Sequence, residues 1–360
     1  MIMIQHIYRL GIIGLVLLGT TNCGPKDYVH SKPGSGHNDL IVTDISDIRG
    51  YKDCYTGNFR CGLFVPRAYD EGIKYPLILY LHGYSDTTTW DLQWYHDPLA
   101  HSDPAIVLTP KCPTDEIAGW GDSWHADISP MLRNALEMLD RVTKAYHVDP
   151  DRIYVYGISM GGYGTYAALK NSPSRFAAAY VECGIGDPEM AAVLKNIPLW
   201  IFHGSDDPIV PVQGSRNMVQ AILAAGGTQV RYTEYPGVKH NAWDFVEDES
   251  TLPYWLLAQR RGSVHVAPDS VPGFQAILLD GHQAKLTWEV RQNENNQDNN
   301  FWYCRIYRDA CVVGEIYNND NIFIDSTLNV GSSFSYRISA VNYFFKESPL
   351  SQNIKLQTSP

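Results

Sequence analysis

Arg152-Ile153-Tyr154-Val155-Tyr156-Gly157-Ile158-Ser159-Met160-Gly161-Gly162-Tyr163-Gly164-Thr165-Tyr166-Ala167-Ala168-Leu169 is the stretch that decides the fold. Its apolar first part reads as a buried strand, its small-residue second part as a helix, and G-x-S-x-G joins them. That context predicts a turn so tight that the residues flanking Ser159 must be glycine or nearly so. It also holds the serine strained with its hydroxyl exposed, which makes Ser159 the candidate nucleophile. Elsewhere the same pattern is a glycine-rich turn with a capping serine, so the downstream residues decide between the two.

A nucleophilic serine needs a base, and the base needs a carboxylate to hold its tautomer. On a sheet of this kind they follow in the order serine, acid, histidine. Pro198-Leu199-Trp200-Ile201-Phe202-His203 is a strand-like run that feeds Gly204-Ser205-Asp206-Asp207-Pro208. Val230 to Tyr235 reads as a further strand, and Pro236-Gly237-Val238-Lys239-His240-Asn241 is a turn that presents His240. Parallel strands gather catalytic groups at their C-terminal edge, so all three are expected there. The chain has 12 histidines, and His240 is singled out by its place after the last predicted sheet strand. Of Asp206 and Asp207, one is the acid and the other a turn residue. An early buried run, Tyr75 to Leu81, ends in His82-Gly83-Tyr84. The backbone N–H groups of Met160 and Tyr84 are the candidate oxyanion donors, a main-chain role that leaves the tyrosine side chain free.

Leu81-His82-Gly83, Gly157 to Gly162, His203 to Pro211 and His240-Asn241-Ala242-Trp243 together resemble the feruloyl and acetyl-xylan esterases of carbohydrate esterase family one. That family's α/β-hydrolase neighbours include polyhydroxybutyrate depolymerases and a group of predicted peptidases. The resemblance covers residues 50–262 and ends in Pro253 to Arg260, which is similar to the family's closing helix. It implies an α/β-hydrolase fold and an acid at the fifth position of H-G-x-x-D-x-x-V, which is Asp207. It also implies Ser-His-Asp hydrolysis of acyl groups on plant polysaccharides through an acyl-enzyme, with no cofactor. A serine peptidase on the same fold and a non-catalytic surface binding lipoprotein are the two rival readings.

With 360 residues the chain has room for two domains. A formal net charge of −11 argues against nucleic acid or an anionic membrane surface as partner; the acylated polysaccharide or oligosaccharide substrate is what the resemblance implies. Trp120, Trp124 and Trp243 fall in or near predicted loops beside the site, as do Trp90 and Trp94 farther off. The first three are candidates to stack on sugar rings. No C-x-x-C, H-E-x-x-H or acidic calcium loop occurs, so no metal is expected.

Arg9 precedes the apolar stretch Leu10 to Gly19, which is too short to span a bilayer comfortably and is followed by Cys23. Residues 1–22 therefore read as a lipoprotein-type signal peptide, with lipid on Cys23 and residues 23–45 as a tether. The expected location is a bacterial outer membrane or cell surface, with that anchor as the one membrane contact. Ordinary secretion and an uncleaved anchor are the alternatives. The other cysteines permit disulfides: Cys54 and Cys61 flank a hairpin turn, and Cys304 and Cys311 bracket another. Cys112 and Cys183 each follow a predicted strand.

Residues 46–262 are thus expected to form the α/β-hydrolase catalytic domain, 263–273 a linker and 274–360 a smaller β-sandwich. Short alternating strands such as Ala284 to Val290, Tyr303 to Arg308 and Ser333 to Asn342 argue for the sandwich. They resemble a fibronectin type III module, in which Phe334 stands where that family usually carries its corner tyrosine. The resemblance implies a spacer without the corner hydrogen bond.

Overall fold

Tyr75-Pro76-Leu77-Ile78-Leu79-Tyr80-Leu81 carries no charged residue, and a strand apolar on both faces is stable only inside a sheet covered on both sides. The computed structural model describes residues 40–46, 51–56, 59–84, 103–113, 119–121, 128–249, 251–263, 266–279, 282–289, 301–317 and 320–359. In it every residue of that run is buried within a nine-stranded sheet. Its strands are β1 (Ile41–Ser46), β2 (Tyr51–Thr56), β3 (Phe59–Phe64), β4 (Tyr75–Leu81), β5 (Ile106–Pro110), β6 (Val148–Ile158), β7 (Ala178–Glu182), β8 (Leu199–Gly204) and β9 (Val230–Tyr235). The order across the sheet is β1-β2-β3-β5-β4-β6-β7-β8-β9. The first three strands and β5 pair antiparallel, and everything from β5 to β9 is parallel. This is the α/β-hydrolase fold.

The sheet begins at Ile41, inside the stretch expected to be tether, because Val42 pairs with Cys54. Cys54 and Cys61 stand opposite each other on β2 and β3 and form the expected disulfide. Side chains alternate between two cores. Leu77, Leu79, Val155, Ala179 and Ile201 point into one, and Ile78, Tyr80, Tyr154, Tyr180 and Phe202 into the other. Helix α1 (Pro130–Ala145) starts where the Ser129 hydroxyl accepts from Leu132 N–H, and its stripe of Leu132, Ala135, Leu139 and Val142 closes the first core. Helices α2 (Met160–Asn171) and α3 (Gln213–Ala224) send Tyr166, Ala167, Met218 and Ile222 into that same core, while α4 (Leu252–Ala258) packs Trp255 and Leu256 into the second. Among the described residues no helix is long and apolar enough to cross a membrane.

The C-terminal region forms two antiparallel sheets. One is β10 (Gln275–Leu278), β11 (Ala284–Thr287) and β14 (Ile322–Asp325); the other is β13 (Cys311–Ile316), β12 (Phe301–Arg308), β15 (Ser333–Asn342) and β16 (Ile354–Gln357). Leu286 from the first and Ile306, Tyr336 and Ile338 from the second share one core. Phe334 offers no hydroxyl, but the sandwich still holds a buried tyrosine bond: Tyr336 donates to Asp325 Oδ2 at 2.7 Å. Cys304 is buried opposite Ile316 and Cys311 exposed opposite Arg308, so the two do not face each other and form no disulfide.

The sandwich is docked on the hydrolase sheet by an aromatic cluster. Trp200 on β8 meets Trp255 edge-on at 5.4 Å and Trp302 on β12 at 5.6 Å. The Arg231 guanidinium lies against both the Trp200 and Trp302 rings, 4.3 and 4.7 Å from their centroids. Gln259 Nε2 donates to Tyr343 O at 2.8 Å, and Asn342 Nδ2 to Val266 O at 2.8 Å. A spacer would swing freely; these contacts bury Trp302 in the hydrolase's second core. Trp302→Ala is expected to lower the unfolding free energy of the chain by about 3–5 kcal/mol. Urea unfolding followed by tryptophan fluorescence and by circular dichroism checks it, and the sandwich and sheet should melt together.

Candidate active site

Parallel register brings the strand ends to one edge. Leu81 pairs with Gly157, Ile158 with Glu182, Glu182 with Phe202, and Gly204 with Tyr235. Ser159 follows β6 and caps α2 at φ 52° and ψ −113°. A non-glycine residue there stores on the order of 1–3 kcal/mol, which the surroundings must hold. Its N–H donates to Glu182 O at 2.8 Å. A Cβ on Gly161 would come 1.7 Å from the Leu81 carbonyl oxygen, so no other residue allows α2 to start so close to β4.

His240 Nε2 lies 3.0 Å from Ser159 Oγ, and its Nδ1 lies 2.7 Å from Asp207 Oδ2. With Nδ1–H donating to the carboxylate, the Nε2 lone pair faces the serine hydroxyl, the tautomer a base needs. The turn bearing His240 lies across the end of β8. A Cβ on Gly204 would meet the Lys239 carbonyl oxygen at 2.2 Å, so glycine is required there too. Ser205 N–H and Asp206 N–H donate to Tyr235 O at 3.0 Å and Val238 O at 2.9 Å, which ties the two turns together.

Of the paired aspartates, Asp207 is the one that meets His240. Its Oδ1 accepts from Ile209 N–H at 2.8 Å and Val210 N–H at 2.9 Å, whereas Asp206 is exposed and accepts from the Ser205 hydroxyl. Burial pushes the Asp207 carboxyl up, but the bonds from His240, Val210 and Ile209 outweigh it and hold the group below the usual carboxylate range.

The turn after β4 lies beside the serine: a Cβ on Gly83 would stand 3.8 Å from Ser159 Cβ. Met160 is the first residue of α2, so its N–H has no acceptor within the helix. Tyr84 follows Gly83 and is 66% exposed. His82 is buried, its Nδ1 2.8 Å from Gly83 O and its Nε2 accepting from Cys112 N–H at 3.0 Å.

Trp120 is not a sugar platform. It is fully buried, and its Nε1 donates to His82 O at 2.9 Å, so it braces the turn from inside the first core. Trp243 stays at the site, edge-on to the His240 ring at 5.5 Å. Trp124, Trp90, Trp94 and Cys23 lie outside the described residues.

One residue that sequence reasoning left without a role is His203. It stands next to last in the otherwise apolar strand β8, four residues before Asp207, and a histidine buried in such a strand is the signal that could have found it. Cys183, His203 and Asp207 are the one group of metal-type donors among the described residues. Both Asp207 oxygens and both His203 nitrogens are already in hydrogen bonds, and burial pushes the Cys183 thiol up to about 12. A cation would have to compete with all of these bonds for protonated sulfur, so the group fits a hydrogen-bond network better than a metal.

Residues 119–199 match the prolyl oligopeptidase family. Dipeptidyl-peptidase 5 of Porphyromonas gingivalis is 32% identical over 185 residues, which are 46% of this chain and 27% of that peptidase. The chain thus spans about a quarter of that relative's length. A probable feruloyl esterase C of Aspergillus niger is 25% identical over 219 residues, 59% of this chain and 76% of the esterase. Among solved structures a thermostable esterase superposes with a TM-score of 0.52 at 31% identity, covering 62% of this chain and 64% of its own.

The Asp207 bonds carry a pH signature. A carboxyl depressed in the folded state contributes stability that is present above its unfolded value and is lost as pH falls through the folded one. Wild type is therefore expected to be more stable than Asp207→Asn at pH 7, with the gap closing below about pH 4. Thermal unfolding of both proteins across that range measures it.

Proposed function

We propose that this chain is an exported serine ester hydrolase that removes acyl groups from plant polysaccharides, a feruloyl or acetyl-xylan esterase. The observation that carries the reading is the hydrogen-bonded line Ser159–His240–Asp207 at the edge of a parallel sheet. His240, oriented by Asp207, takes the Ser159 proton as the serine oxygen attacks the ester carbonyl. The N–H groups of Met160 and Tyr84 hold the oxyanion, each contributing on the order of 3 kcal/mol to the transition state. The alcohol leaves with the proton from His240, and water repeats the cycle on the acyl-enzyme. Trp243, against the base, is a candidate wall for the aromatic or sugar part of the substrate.

Support for an ester over an amide comes from the esterase relatives. The feruloyl esterase match spans most of that enzyme, whereas the peptidase match is a quarter of a longer protein. The family match over residues 119–199 favours serine peptidase as the second reading. An intact Ser, His and Asp set argues against a purely binding role.

Side-by-side release of ferulate and acetate from arabinoxylan, with Ser159→Ala as blank, tests the reading. Loss of the nucleophile is expected to lower kcat by roughly four orders of magnitude or more. Hydrolysis of dipeptidyl arylamides alone would favour the peptidase, and no Ser159-dependent product of either kind would refute both. The N-terminal sequence supports export and a lipid on Cys23. In membrane fractions of a lipoprotein-processing bacterium, Cys23→Ser is expected to move the protein from the membrane to the soluble fraction; unchanged partition would contradict the anchor.

A further inference from the structure

We infer that the buried histidine His203 is a positioning residue that tunes how strongly Asp207 accepts from His240, by giving Asp207 Oδ2 a second donor. This rests on the serine hydrolase reading proposed above. His203 Nε2 lies 2.9 Å from Val210 O and 3.2 Å from Asp207 Oδ2, and its Nδ1 lies 2.8 Å from Ser215 Oγ on α3. Val210 O and the Asp207 carboxylate are acceptors only, so the proton on the ring must sit on Nε2, shared between them. In the neutral ring Nδ1 then accepts from the Ser215 hydroxyl, which is itself fully buried and 3.3 Å from Gly184 O. Burial holds His203 below the ordinary histidine range, against the bonds to Val210 and Asp207 that would raise it, and so keeps the ring neutral.

Asp207 Oδ2 therefore serves two histidines at once. A carboxylate oxygen shared between two donors holds each less strongly than it would hold one alone. The Ile209 and Val210 amides hold the other oxygen, so Asp207 keeps its orientation without His203. What His203 changes is the charge left for His240. The ionisable groups around His203 are Asp207 on its own turn, His240 from the turn after β9, Cys183 after β7 and Glu234 on β9. Cys183 stays protonated, and Glu234 is held by Arg216, with an N–O distance of 2.6 Å. His240 is thus the group in this set whose charge changes during the proposed reaction.

The test uses the full chain and needs no natural substrate: the rate at which a fluorophosphonate probe labels Ser159, measured against pH. His203→Leu removes the donor and keeps the volume. Asp207 then stabilises the His240 imidazolium more, and the acid limb is expected to move up by about half to one pH unit. His203→Gln, whose amide N–H reaches the place of Nε2, should restore the wild-type limb. A residue that only supported the fold would lower the rate at every pH without moving the limb. An unmoved limb in His203→Leu, or equal movement in the Leu and Gln variants, overturns the inference. Should the Leu variant not fold, His203→Asn, too short to reach Asp207, must give the same displacement. The downfield NMR resonance of the proton between His240 and Asp207 supplies an independent reading and should move further downfield in the Leu variant. No labelling of wild type would refute the hydrolase reading, while that resonance would still decide the role of His203.

Discussion

Backbone pressed against backbone is the constraint on which the site depends. The Leu81 carbonyl at the end of β4 occupies the space where any side chain on Gly161 would begin. With glycine there, α2 can start directly behind the sheet edge and hold Ser159 at a positive φ, with its N–H tied to Glu182 O. The same device recurs at Gly204, where the His240 turn crosses β8 over a position with no room for a side chain. Two close approaches thus set the distance between Ser159 and His240. The side chains then need only ordinary hydrogen-bond geometry to meet.

Asp207 is fixed by a different means. Asp207 accepts from two backbone amides on one oxygen and from His240 on the other, which also lies 3.2 Å from His203 Nε2, so its carboxylate has no freedom to turn away. This arrangement explains how a carboxyl so deeply covered stays charged: hydrogen bonds to the ionised form outweigh desolvation. The β8 strand that carries His203 also carries Trp200, whose ring receives the C-terminal sandwich. Side chains of one strand, three residues apart and so on opposite faces, therefore serve the site at its end and the docking surface on its face.

Much of this was legible in the sequence because strong local rules and tertiary demands agree. The strand–turn–helix around Ser159, the turn after β8 and the His240 turn each carry glycine or proline where the backbone needs it. The stripe of α1 and the Cys54–Cys61 hairpin were readable for the same reason. Trp120 was misread because an aromatic residue in a loop looks exposed, whereas here its indole folds inward to bond the His82 carbonyl. The start of the sheet at Ile41 was missed because the short apolar run Leu40-Ile41-Val42 directly follows a stretch rich in glycine, proline, serine and histidine that reads as a tether. The docked sandwich was hidden too, since Arg231, Trp200 and Trp302 are far apart in sequence and meet only through tertiary packing. His203 escaped because a histidine in a motif gives no sign of which acceptor it will find.

On the proposed mechanism Ser159 carries a covalent acyl intermediate at this sheet edge. Quenching the turnover of an activated aryl ester in acid and mapping the protein by peptide mass spectrometry tests it most directly. One acyl group is expected, on the peptide that contains Ser159, and none in Ser159→Ala. Steady turnover with no adduct on that serine, persisting in Ser159→Ala, would contradict it.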